Sequence, residues 1–124
     1  GKKGDLVALE VNMRPAGGFT PDMLNFSQSA DIYQIYADMV AFDEVRHTYD
    51  GPHSYCVHAG RRDSRQYKLS LAELEEYAGE HARLFTRMPD ALAGTMGNQV
   101  AVACYNTIQE VNAFVKAAFE PFYS

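Results

Sequence analysis

Two helix starts are marked in the sequence by one pattern, a hydroxyl residue followed three positions later by glutamate. Ser70 stands before Glu73 in this way, and Thr107 before Glu110. In such a box each side chain accepts a hydrogen bond from the other residue's backbone N–H. These N–H groups at the start of a helix would otherwise lack an acceptor. We therefore expect helices over 71–80 and from 107 onward. The second should bury an apolar face of Ile108, Val111, Phe114, Val115 and Ala118.

Strand-length segments lie around these helices. We predict strands at 54–59, 66–69, 83–88 and 99–105, with a turn at 49–52. Arg62-Asp63-Ser64 should bend the first strand back onto the second as a hairpin, and Gly94 and Gly97 mark a loop. This mixture of strands and helices predicts an α+β fold in a single domain covering residues 1–124.

Two more helices are predicted near the start of the chain. Thr20 is the expected N-cap of a short helix over 21–28, with Pro21 at its first position. A second helix is expected over 30–42. Apolar residues recur there at spacings of three and four, which predicts a buried stripe of Ile32, Ile35, Met39 and Phe42, with Tyr33 and Tyr36 packing at its rim.

The overall charge excludes some functions. Eleven basic and 16 acidic residues give a net charge of −5, which argues against a nucleic-acid surface or an anionic membrane surface. No apolar run approaches the ~20 residues of a transmembrane helix. The two cysteines, Cys56 and Cys104, are too few for a disulfide scaffold, and we interpret them as small buried hydrophobes. We expect a cytoplasmic protein.

The segment 6–13 is a predicted strand that ends before Pro15, Gly17 and Gly18. Residues two apart on a strand share a face. Glu10, Asn12 and Arg14 would therefore point one way, while Leu9, Val11 and Met13 would point into the core. The polar row has two explanations. It is either the solvated face of an edge strand or a site in which a carboxylate, an amide oxygen and a guanidinium handle Mg²⁺ and phosphate.

The identities of these residues favour the site. The run Glu10-Val11-Asn12-Met13-Arg14-Pro15-Ala16-Gly17-Gly18 resembles the E-x-N-x-R motif of the ATP-grasp superfamily, which includes biotin carboxylase, carbamoyl phosphate synthetase and carboxylate–amine ligases. Thr20-Pro21-Asp22-Met23 and Asp31-Ile32-Tyr33 resemble the helices that follow this motif. The close resemblance covers about residues 6–42. Its implication is that residues 1–42 end the catalytic core and 43–124 form a C-terminal α+β subdomain.

The resemblance also implies roles for single residues. Glu10 and Asn12 would bind the Mg²⁺ ions on ATP, Arg14 would be catalytic at the transferring phosphoryl group, and Gly17 and Gly18 would lie against the cofactor. The reaction would activate a small-molecule carboxylate as an acyl phosphate for attack by an amine. The adenine pocket, lysines and lid would belong to upstream ATP-grasp domains of the same protein. The isolated chain would then be inactive, and a homodimer is compatible with this interpretation.

Other patterns have plainer interpretations. His53, Cys56 and His58 fit a structural strand better than a metal site, because no second ligand pair follows at zinc spacing. Arg61 and Arg62 should lie on an exposed turn, paired with Asp63. The whole chain also has an alternative interpretation, a stand-alone α+β binding or oligomerisation module whose polar strand is merely solvated. The sequence encoded upstream would discriminate the two, and since the chain opens without Met we expect further residues before it.

Overall fold

A computed structural model describes residues 3–123. In this part of the chain the order is α1 (Thr20–Gln28), α2 (Ile32–Phe42), β1 (Tyr55–Arg61), α3 (Leu71–Ala78), β2 (Ala82–Arg87), α4 (Asp90–Met96), β3 (Gln99–Tyr105) and α5 (Ile108–Phe119), with a 3₁₀ turn at Gly79–His81. The predicted α+β fold is confirmed. No helix in the described part is long and apolar enough to cross a membrane.

The sheet has β3 at its centre, with β1 and β2 antiparallel on either side. The central position follows from composition. Six consecutive residues of β3, from Val100 to Tyr105, are buried, and only a strand with neighbours on both edges and both faces buries such a run. Helices α3 and α5 pack on one face of the sheet, over a core of Ala59, Leu74, Ala78, Ala101, Ala103, Tyr105, Phe114 and Ala118.

Both predicted capping boxes are present. The Ser70 hydroxyl accepts from the Glu73 N–H, and the Glu73 carboxylate accepts from the Ser70 N–H, at 3.2 and 2.8 Å. Thr107 and Glu110 repeat the arrangement at the start of α5. Because the Ser70 N–H stabilises the carboxylate, the pKa of Glu73 lies below its usual range. At the first helix the prediction was wrong: Phe19 is the N-cap, and Thr20 lies inside α1.

Two predictions of local structure in the second half were wrong. Residues 66–69 form no strand, and only Tyr67 makes an isolated bridge, to Pro121. In the predicted hairpin, residues 66–69 would have paired with β1. In the structure β3 pairs with β1 instead, because β3 is more apolar and buries more surface there. The expected loop around Gly94 contains the short helix α4, in which Ala, Leu and Met outweigh one glycine. The bend after β1 is present as a turn.

The predicted stripe on α2 is only half buried. Ile32 and Ile35 are partly covered, whereas Met39 and Phe42 are exposed. The reason is tertiary, since α2 contacts α1 but makes no substantial contact with the sheet in the described part of the chain. An apolar stripe is buried only where another element lies against it.

Candidate functional site

The segment that carries the motif is not a strand. Residues 5–13 have no regular secondary structure, and all are exposed. Leu9 and Val11, which were expected to point into the core, are 95% and 77% exposed, and Met13 is exposed as well. This corrects the predicted strand at 6–13. A strand needs a neighbour to pair its backbone groups, and no described strand lies beside this segment.

The first two polar residues of the motif are nevertheless brought together. Asn12 Nδ2 donates to Glu10 Oε1 at 2.8 Å, so the two side chains lie on the same side of the segment. Their carboxylate and amide oxygens are the hard ligands that Mg²⁺ accepts alongside water and phosphate oxygens. Both side chains are solvent-exposed. The donor set therefore fits a magnesium ion in kind, as a partial site to which other ligands would be added.

Arg14 lies at the end of this row. Its Nη1 donates to the carbonyl oxygen of Pro15 at 3.2 Å. The side chain is exposed. A guanidinium held only by one neighbouring carbonyl keeps most of its N–H donors available for a phosphate or carboxylate.

The glycines after the motif turn the chain into α1. Gly18 has φ +63°, a left-handed conformation that L side chains rarely adopt, and a bend at Gly17 leads into a turn at 18–19. A Cβ at Gly18 would lie 3.5 Å from the Met96 side chain, whereas one at Gly17 would meet nothing within 4 Å. The sharp turn expected here is present.

A groove of about 450 Å³ connects the motif to α2. Asn12 and Arg14 lie on one side of it, and Tyr36 Oη donates to the Met13 carbonyl at 3.3 Å, which ties the segment to the helix. The rest of the wall is mostly apolar and comes from Met13, Pro15, Ile32, Ile35, Met39, Val40 and Asp43. The sequence predicted the polar row but not this groove, because it requires the packing of two segments about 20 residues apart.

A second polar cluster at the end of α2 was not predicted. Asp38 is buried, and its carboxylate accepts from Gln34 Nε2 at 2.8 Å and from the Arg46 N–H at 3.1 Å, while His47 Nδ1 lies at 2.8 Å. The hydrogen bond with His47, more than any other contact, holds the pKa of Asp38 below its usual range. An acid inside a mostly apolar helix was the available signal. The cluster fixes the chain that leaves α2.

The two arginines after Gly60 differ from the prediction of an exposed, internally paired turn. Arg61 is 2% exposed and donates to the Leu69 carbonyl at 2.6 Å, with its guanidinium 4.1 Å from the centre of the Tyr67 ring. Arg62 is exposed and donates to carbonyls at the end of α4. Asp63 pairs instead with Arg87 of β2, which lowers the pKa of the Asp63 carboxyl. The sheet register, invisible in the sequence, decides these pairs.

Within residues 3–123, no group of three or more His, Cys, Asp or Glu side chains is arranged to hold a metal ion. The metal site predicted from the motif therefore rests on Glu10 and Asn12. No family model, no curated protein and no solved structure matches this chain.

Proposed function

We propose that this chain is the C-terminal part of an ATP- and Mg²⁺-dependent ligase of the ATP-grasp type. The observation that carries the proposal is the arrangement of the motif segment. Glu10 and Asn12 lie side by side with hard oxygen ligands, Arg14 follows with a guanidinium that donates to the Pro15 carbonyl, and Leu9 and Val11 remain in solvent. The polar side chains would form half of a site, and the exposed apolar side chains between them would be covered by another sheet that completes it.

The large area of exposed surface supports the proposal that another domain covers part of this chain. The accessible surface is 8873 Å² for a mass of 13.8 kDa. A compact monomer of this mass exposes about 6,600 Å², so the excess is about 2,200 Å². A standard protein interface covers only about 800 Å² on each side. The excess is therefore large enough for an extensive contact with upstream domains of the same protein.

The location of the apolar exposure agrees with this partner. Part of it follows the motif segment and the adjoining side of α2, and includes Leu6, Val7, Leu9, Val11, Met13, Tyr36, Met39 and Val40. Met13, Tyr36, Met39 and Val40 line one groove, and an exposed apolar patch of this kind marks an interaction site. The same partner would supply the adenine pocket, the lysines and the lid that the family resemblance requires, and the protein would be cytoplasmic.

The roles proposed for the residues follow from their chemistry. Bound Mg-ATP would supply the phosphoryl group that activates a small-molecule carboxylate before an amine attacks it. Glu10 and Asn12 would hold Mg²⁺ through oxygen atoms, and Arg14 would neutralise charge on the transferring phosphoryl group. Gly17 and Gly18 would allow the backbone to turn close to the ligand. These contributions are positioning and charge stabilisation, which dominate phosphoryl transfer.

The decisive experiment uses the complete protein that contains this chain. ADP release is measured with Mg-ATP, a panel of small carboxylates and an amine donor. Glu10→Ala should lower the rate roughly 10²-fold or more, since it removes a group that stabilises transition-state charge. Glu76→Ala is the control, because Glu76 is an exposed carboxylate on α3. Full activity of Glu10→Ala would refute the assignment.

A second experiment uses the isolated chain. Since it supplies only part of the site, calorimetry with Mg-ATP should detect no micromolar binding. Micromolar binding by residues 1–124 alone would contradict the expectation that the remaining groups lie upstream.

The exposed apolar surface also favours a second candidate function, a binding or oligomerisation module without catalysis. This module would associate through the Met39 and Val40 side of α2 and would be indifferent to Glu10→Ala. Sedimentation of the isolated chain, compared with Met39→Asp, distinguishes the two functions. Self-association that the aspartate abolishes, together with normal function of Glu10→Ala, would favour the module.

A further inference from the structure

Cys56 and Cys104 lie directly opposite each other in the sheet. Cys56 is on β1 and Cys104 on β3, and the antiparallel register pairs them one to one. Opposed residues in an antiparallel pair have Cα atoms about 4.5 or 5.5 Å apart. Disulfides form at Cα separations of about 4.4–6.8 Å. The backbone therefore already holds these two residues within disulfide distance, although both are free thiols here.

The two thiols also influence each other. Burial raises the pKa of the Cys56 thiol to about 12, and a hydrogen bond with Cys104 is the next contribution. Because both lie on one face of the sheet at opposed positions, no other element separates the sulfur atoms. The pair is therefore two neighbouring thiols at opposed positions of the sheet.

The pair differs in access to solvent. Cys56 is partly exposed, whereas Cys104 is buried in the central strand. An external reagent therefore reaches Cys56 first, and Cys104 can respond only from inside the sheet. Access therefore makes Cys56 the first site of reaction, and because burial raises the pKa of its thiol the reaction should be slow at neutral pH and faster at alkaline pH.

We propose that Cys56 and Cys104 form a reversible cross-strand disulfide, a thiol–disulfide modification site independent of the motif at Glu10. The oxidant is a small disulfide such as oxidised glutathione. The Cys56 thiolate attacks one of its sulfur atoms, the reagent's S–S bond breaks, and one glutathione leaves and takes up a proton. The Cys104 thiolate then attacks the Cys56 sulfur and releases the second glutathione. Two protein thiols are oxidised, and one reagent disulfide is reduced to two thiols.

The spacing of the side chains makes this bond reducible. Opposed Cβ atoms on neighbouring strands lie about 4.5–5.5 Å apart, whereas a relaxed disulfide holds them at about 3.5–4.5 Å. The strands must approach to close the bond, and strained disulfides are the ones that cellular thiols reduce most readily. The site is therefore expected to exchange with a thiol pool and not to act as a permanent crosslink.

The test incubates the reduced, folded chain with oxidised glutathione at alkaline pH, where more of the Cys56 thiol is ionised, alkylates the remaining thiols in acid-quenched samples, and records intact mass and peptide maps. Wild type should lose both thiols, retain no glutathione and link the Cys56 and Cys104 peptides within one chain. Cys104→Ala should stop with one glutathione on Cys56. Cys56→Ala should keep its buried thiol. Dithiothreitol should restore both thiols in the wild type.

Three outcomes would overturn the proposal: a wild type that stops with glutathione on Cys56, a disulfide between two chains, or a wild type that retains both thiols. Circular dichroism of each variant checks that the sheet is intact. If Cys104→Ala unfolds, Cys104→Ser replaces it. The proposed ligase activity is unaffected by any of these outcomes, because neither cysteine belongs to the motif.

Discussion

Phe114 is the side chain whose removal should show most directly how α5 is held on the sheet. It is 0% exposed, and its ring lies 5.7 Å from that of Tyr105 and 6.4 Å from that of Phe85, the latter edge-to-face. Phe114→Ala removes a fully buried ring at the point where α5 meets β2 and β3. The surrounding backbone is helix and sheet, which close such a void only in part.

The expected cost is worked out from this burial. Removing the ring takes roughly 100 Å² of apolar surface out of the core, which is about 2.5 kcal/mol at 25 cal/mol/Å². The two aromatic contacts and the cavity add about 1.5 kcal/mol. The free energy of unfolding should therefore fall by about 4 kcal/mol, a large share of the 5–15 kcal/mol typical of a domain.

Urea denaturation followed by circular dichroism measures this loss. With a slope of about 2 kcal/mol per molar urea, the midpoint should fall by about 2 M. Phe122→Ala is the matched control, because Phe122 is 57% exposed and should change stability by no more than about 0.5 kcal/mol. A loss below about 1 kcal/mol for Phe114→Ala, or one equal to that of the control, would refute the packing described for α5.

Three further predictions concern backbone conformation, pH and capping. Gly94→Ala should raise the free energy of unfolding by about 0.4–1 kcal/mol, since a Cβ at this position in α4 would meet nothing within 4 Å. Gly97→Ala should lower it by more, because Gly97 has φ +87° and its Cβ would lie 2.8 Å from a β1 carbonyl oxygen. Equal urea midpoints for the two variants would contradict this. The pKa of Asp38 is lowered, chiefly by His47, so its contribution to stability should be present above pH ~3.8 and lost as pH falls through its folded-state value. Asp38→Asn should flatten that acid decline in thermal melts, and an unchanged slope would be inconsistent with it. Thr107→Ala should cost about 1 kcal/mol through loss of the cap, measured by urea unfolding, and no change would show that the box does not hold α5.

Local chemistry in the sequence was enough to predict most of the elements. The boxes at Ser70 and Thr107 act within four residues, so they are independent of the rest of the chain, and both helices begin where expected. The strand at Gln99–Tyr105 was predicted with its observed bounds. A long apolar run between turn residues has few alternatives to a buried strand.

Pairing could not be predicted in the same way. The hairpin that joined 54–59 to 66–69 was wrong because the partner of β1 is β3, almost 40 residues away. Arg61 was expected on an exposed turn, but it lies at the end of β1, buried beside the Tyr67 ring. Register and strand order depend on which surfaces bury the most area together, and this competition is between distant segments.

The motif segment shows the same division. The sequence alone determined that Glu10, Asn12 and Arg14 follow one another at spacings of two, ahead of a turn at Gly17 and Gly18, because extended geometry and glycine conformation are local properties. Only the tertiary structure decided that Glu10 and Asn12 touch while the apolar residues between them stay in solvent. A strand is completed by hydrogen bonds to a neighbour, and whether a neighbour lies beside it is a property of the whole fold.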